Sequence, residues 1–205
     1  MNFLAHLALA GPDDASRIGN ILGDFEKGTP DSLRERLPSA VVTGIMMHRH
    51  LDRYTDSHPL FLTSKNLLKP ERRRFAGIAI DIFFDHFLSK HWSNFHPGTT
   101  THFIAEVYQL FERHPEWLGS HFGPLVPRIK SENWLGTYQT ITGVEFTLQR
   151  IATRSHKFEP LIHSVEDLTS NYLEFENLFL QFYPQIREYA AKLLGKKIEN
   201  KSAFP

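Results

Sequence analysis

An all-α fold is what this chain predicts, on three observations. Apolar residues recur at helical spacing, as in Leu168, Tyr172, Phe175, Phe179 and Phe182. Alternating strand-like patterns are scarce, and prolines and glycines cut the chain into helix-length pieces. Asn2 to Ala10 reads as a short helix burying Phe3, Leu4 and Leu7, broken by Gly11-Pro12-Asp13-Asp14. Ala15 to Phe25 forms a second helix with Ile18, Leu22 and Phe25 inward, and Pro38 opens a third that runs to about Tyr54. Pro59 to Leu68 is shorter. Pro70 suits the first turn of a long helix passing through Arg72-Arg73-Arg74 to Asp81, Asp85 and His86. From Pro97 to Trp134 short helices and loops are expected, and Val144 to Thr153 is helical again. Ser164-Val165-Glu166-Asp167 resembles a capping box opening the last helix, which Pro184 kinks or restarts and Gly195 stops. Residues 1–195 make a single helical domain, with 196–205 a polar tail.

Composition narrows the function. With 205 residues, 41% of them hydrophobic, one full-sized core is expected. Basic and acidic residues balance at 23 each, so nothing global points to nucleic acid or a membrane surface. The absence of cysteine removes disulfides, thiolate catalysis and zinc–thiolate sites, and is compatible with a cytoplasmic location. The start lacks the pattern of a secretory signal, and no stretch of about 20 uncharged apolar residues follows.

The chemistry concentrates in polar pairs four residues apart on helices with apolar faces: Asn2/His6, Asn20/Asp24, His48/Asp52 and Asp81/Asp85. Asp81, Asp85 and the adjacent His86 interrupt an otherwise apolar helix. Carboxylates there must be paired, hydrogen-bonded or metal-bound, because desolvating a lone one costs several kcal/mol. Four such pairs can line one cavity between packed helices, as in helical-bundle metal sites. Taken alone, His48/Asp52 reads more often as a surface contact, and His6 and Asn20 as buried hydrogen-bonding support. His91 with Trp92 can simply end the helix. The other histidines, His58, His96 and His114 among them, read as surface residues. An Asp/His set without Cys suits Mn²⁺ or Mg²⁺, with other divalent ions open, and hydrolysis at phosphorus.

Several blocks also carry a resemblance: Met1 to His6, Gly19-Asn20-Ile21-Leu22-Gly23-Asp24-Phe25, Met47-His48-Arg49 with Asp52 and Thr55-Asp56, Asp81 with Asp85 to Trp92, and Gln181-Phe182-Tyr183-Pro184. In this order they resemble the acyl carrier protein phosphodiesterase family, a divergent relative of the HD-domain metal-dependent phosphohydrolases. The resemblance implies an HD-domain-like helical bundle. It implies Mn²⁺-activated hydrolysis of the bond joining 4'-phosphopantetheine to a serine of holo acyl carrier protein. It places metal ligation on Asp24, His48, Asp81 and Asp85, supported by Asn20 and Asp52, with His86, His6 and Asp85 in catalysis. Ala8 and Met46 stand where histidines can occur in the family, and Phe84 where a tryptophan can. An acidic carrier protein calls for a basic docking surface, for which Arg49 and Arg53 are the expected residues. Two other functions fit the residues: a phosphohydrolase of nucleotides or small phosphate esters, and a helical module that binds the carrier without cleaving it.

Overall fold

The structure, a computed structural model, describes residues 1–195; the stretch 196–205, expected to be a polar tail, lies outside the described residues. Asn2 caps α1 (Phe3–Leu9), its Oδ1 accepting the Phe3 N–H at 3.0 Å. Asp13 caps α2 (Asp14–Leu22) by accepting the Ser16 N–H at 2.8 Å. After α3 (Pro30–Arg34) come the long α4 (Ser39–Ser57) and α5 (Pro59–Asn66), divided at the His58-Pro59 step. A 3₁₀ stretch, Pro70–Phe75, leads into α6 (Ala76–Lys90). Short helices follow, α7 (Trp92–Phe95), α9 (Gly119–Phe122) and α10 (Val126–Ser131), around the amphipathic α8 (Thr100–Arg113). The chain then forms α11 (Ile141–Ala152), α12 (Ser164–Ser170) and the long α13 (Tyr172–Leu193). The described residues are helical with no strand, as expected from the pattern. None of these helices is long and apolar enough to cross a membrane.

Helix α6 is the central element. Its buried residues run from Ala76 to Leu88, and it packs against α1, α5, α11 and α13. Phenylalanines carry much of that packing: Phe83 meets Phe175 edge-on at 5.2 Å between ring centroids, and Phe84 meets Phe179 at 5.7 Å. The other main contact is the crossing of α2 and α4, where two glycines remove the side chains that would hold the backbones apart. A Cβ on Gly19 would lie 2.2 Å from the Val41 carbonyl oxygen, and one on Gly44 would lie 2.7 Å from that of Ser16. Only hydrogen fits at either position.

Several sequence expectations change. Helix α2 ends at Leu22, so Asp24 belongs to the turn after it and not to the helix that carries Asn20. The long helix from Pro70 is broken into a 3₁₀ turn and α6, because Arg72 turns inward to Asp167, with Nε to Oδ2 at 2.6 Å and Nη2 to Oδ1 at 2.9 Å. That pair also removes the capping box. Asp167 is engaged with Arg72, Ser164 is the first residue of α12, and no side chain caps that helix. The last helical region breaks at Asn171, Pro184 is carried inside α13 without ending it, and Gly195 follows the helix with φ +67°. Three histidines taken as surface residues have partners: His58 with Gln185 at 3.2 Å, His96 with the Tyr183 hydroxyl at 2.7 Å, and His114 with Asp14 at 3.0 Å.

The Arg72–Asp167 pair is buried on both sides, with side-chain exposures of 6% and 2%. Removing one partner strands the other charge. Asp167→Asn is expected to cost about 3 kcal/mol in urea unfolding, whereas an exposed pair such as Arg34–Asp31 should lose about 0–1 kcal/mol on the same treatment.

Candidate functional site

The site begins at the α2–α4 crossing. Because the backbones approach closely at Gly19 and Gly44, His48 of α4 reaches the end of α2. There its ring lies where a Cβ on Gly23 would sit, 2.1 Å from the His48 Cγ. His48 Nδ1 meets the Asn20 carbonyl oxygen at 2.7 Å. A protonated Nδ1 donates there, which turns Nε2 outward, as the outer hydrogen bond of a ligating histidine does. Nε2 then lies 2.9 Å from Asp52 Oδ2 and 3.4 Å from Asp24 Oδ1. From α1, the His6 ring stacks on His48 with centroids 3.9 Å apart, and its Nε2 lies 3.0 Å from Asp52 Oδ1.

These contacts are close without being aligned as hydrogen bonds: both ring nitrogens of His6 are buried and lack a hydrogen-bond partner. The ligand atoms of His6, His48 and Asp52 all fall within 4.8 Å of one another. Two imidazole nitrogens and a carboxylate converging on one point form a group that can hold a divalent ion. His6 and His48 are buried, while the Asp52 and Asp24 side chains are 38% and 53% exposed. Those two carboxylates open onto a cleft of about 300 Å³ also lined by Asp56, Asp81 and Arg154.

Proximity polarises the cluster. Burial, then the neighbouring His48, lowers the His6 pKa to about 4, so His6 is neutral at pH 7 with a lone pair to offer. Burial alone would lower His48 too, but contact with Asp24 and Asp52 outweighs it and raises the pKa to about 9. Asp52 is raised by burial but lowered more by His48 and His6, ending well below the carboxylate range. Asp24 follows the same pattern through His48.

Of the residues expected from sequence, the structure brings together His6, His48, Asp24 and Asp52. The first and last were expected to support or to act in catalysis, not to ligate. Asn20 does support the cluster, through its backbone carbonyl; its side chain donates to the Ser16 carbonyl at 3.1 Å. Asp81 lines the cleft but meets the Met1 amino group at 2.8 Å. Asp85 is a correction. It is fully buried, and its two oxygens accept the Leu4 and Ala5 N–H groups at 2.8 and 3.1 Å, so it caps α1 from across the core and is not among the residues that converge on the cluster. Burial raises its pKa to about 8 in spite of those two bonds. His86 is also placed elsewhere, with Nδ1 on the Tyr138 carbonyl at 2.8 Å and Nε2 on the Tyr172 hydroxyl at 2.9 Å. Arg49 is spent on structure, donating to the Gly28 and Glu26 carbonyls at 2.8 and 2.9 Å, while Arg53 remains exposed. Sequence reasoning missed Arg154 of the cleft and Arg150 of the hollow beside it, which their four-residue spacing could have flagged.

Residues 1–186 match the family model described as acyl carrier protein phosphodiesterase. The chain belongs to the acyl carrier protein phosphodiesterase family. Relatives with that name include one from Photorhabdus laumondii, 37% identical over 93% of this chain and 95% of its own length. One from Yersinia pestis is 36% identical over 93% and 97%, and one from Escherichia coli O6:H1 is 36% identical over 94% and 98%. No solved structure matches.

The opposed histidine shifts each add a signed contribution to the pH response of the metal-free protein. His6 resists protonation in the fold, so between its ordinary 6.5 and about 4 the unfolded chain binds more protons, and stability falls as pH falls. His48 keeps its proton in the fold up to about 9, so between 6.5 and 9 the folded chain binds more, and stability falls as pH rises. With chelator present, the difference in unfolding temperature between the wild type and His48→Gln should shrink as pH rises from 6.5 to 9, and that between the wild type and His6→Gln should shrink as pH falls from 6.5 to 4. Differences that stay constant across those two pH windows would contradict the assignment.

Proposed function

We propose that this protein is a metal-dependent phosphodiesterase that removes 4'-phosphopantetheine from the serine of holo acyl carrier protein, leaving the apo protein. Family membership supports the reaction, and one observation carries the mechanism: His6, His48 and Asp52 converge, without hydrogen-bonding one another in line, beside an open cleft. The residues fit a divalent ion. The Gly23 notch and the Asn20 carbonyl fix one imidazole, and the second has both nitrogens unpartnered. Two imidazoles among three donors favour Mn²⁺ over Mg²⁺, which prefers oxygen ligands.

When bound, such an ion polarises the phosphoryl oxygens and acidifies a water. The chain's own part is to hold and orient. His6 stays neutral, and Asp52 stays ionised because both histidines adjoin it. Asp24, ionised at the mouth of the cleft, is placed to accept a hydrogen bond from the attacking water. Asp85 and His86 act at a distance: the first anchors α1 and therefore His6, and the second ties α6 to Tyr138 and Tyr172. The carrier-docking surface expected at Arg49 and Arg53 narrows to Arg53. A cytoplasmic location belongs to the same proposal.

Holo acyl carrier protein incubated with the protein should lose the mass of 4'-phosphopantetheine in mass spectrometry when Mn²⁺ is present, and keep it with chelator. Loss of mass independent of metal, or an unchanged carrier beside ready turnover of small phosphate esters, would contradict the proposal.

A further inference from the structure

The cleft that receives Asp24 and Asp52 continues into a second hollow of about 220 Å³ bordered by Phe25, Trp134, Arg150 and Arg154, and Asn2, Asp24, Ile151 and Arg154 line both. Arg150 and Arg154 stand one turn apart at the end of α11 and just beyond it. The Arg150 guanidinium lies over the Trp134 ring, its carbon 3.8 Å from the centroid. Its Nε and Nη1 are shielded from solvent, and no hydrogen-bond acceptor among the described residues meets them. The nearby carboxylate that could do so, Glu132, is turned away to Arg128 Nε and Trp134 Nε1, each at 2.7 Å. Burial lowers the Arg150 pKa, so the fold bears a cost for keeping this cation there. A guanidinium stacked on Trp134, with two donors that no described residue meets, borders a hollow that adjoins the cleft of Asp24 and Asp52, and such a fork suits phosphoryl oxygens.

We propose that Arg150 and Arg154 bind the phosphoryl group of the substrate, with Trp134 fixing the plane of Arg150, and that the apolar wall at Phe25 and Ile151 receives the adjoining pantetheine arm. The assignment rests on the phosphodiesterase reading above. It makes the cleft bipolar: the cluster on one side takes the cation, and α11 takes the phosphate. Arginine serves here better than lysine, because its fork meets two phosphoryl oxygens at once.

Calorimetry on the full chain in chelator, with 4'-phosphopantetheine and with pantetheine lacking the phosphate as probes, reads this site apart from the metal. Arg150→Gln and Arg154→Gln should each weaken 4'-phosphopantetheine about 10-fold or more while leaving pantetheine unchanged, and raise KM for holo carrier protein. Arg150→Lys should recover only part. Arg154 is exposed, so its variant tests the site even if Arg150→Gln folds poorly. Unchanged 4'-phosphopantetheine affinity and KM in both glutamine variants of an enzyme that still hydrolyses the carrier would overturn this assignment alone. A wild-type protein that neither hydrolyses the carrier nor binds 4'-phosphopantetheine would overturn the functional reading with it.

Discussion

The close crossing of α2 and α4 is the constraint from which the rest follows. Gly19 and Gly44 let the two backbones meet, and Gly23 leaves room for the His48 ring against the end of α2. The imidazole then has one nitrogen occupied by the Asn20 carbonyl and the other directed at Asp24 and Asp52. Three glycines and a carbonyl thus determine one ring's position and, through its hydrogen bond, its tautomer. A methyl group at any of the three would displace backbone or ring, because each added carbon would sit under 3.0 Å from a neighbour.

The second half of the cluster depends on a different anchor. Helix α1 has only seven residues and would be marginal in isolation. Asp85 secures it by accepting two of the orphan N–H groups of its first turn from the middle of α6. His6 then stacks on His48 and completes the convergence on Asp52. The charged residues in the apolar α6 are therefore explained by two neighbours of the N-terminal segment: Asp85 meets backbone N–H groups and Asp81 the Met1 amino group. Burying Asp85 in α6 is tolerated because its hydrogen bonds are made there and because burial raises its pKa to about 8, favouring the neutral acid.

Much of this was legible in the residues. Helical periodicity marked the all-α class, and the four-residue pairs drew attention to His48, Asp52, Asp24 and His6. What periodicity does not carry is direction. Asp81 and Asp85 share a face of α6 with the start of the chain, and a spacing rule has no term for two backbone N–H groups arriving from residues 4 and 5. Arg72 similarly reads as part of the opening of a long helix, and only the fold brings Asp167 to it across 95 residues. Asp24 was paired with Asn20 on a helix that ends two residues earlier, yet it reaches His48 from the turn. Local spacing picked out residues that the fold brings together and misassigned their partners, because those partners are set by tertiary contacts.

Crystals grown with Mn²⁺ and measured for anomalous scattering test the central assignment most directly. The structure predicts a peak bounded by His6 Nε2, His48 Nε2 and Asp52, with Asp24 at its open side, and with Asp85 still on the Leu4 and Ala5 N–H groups. A peak at Asp85 and His86, with His6 and His48 left unligated, would contradict it.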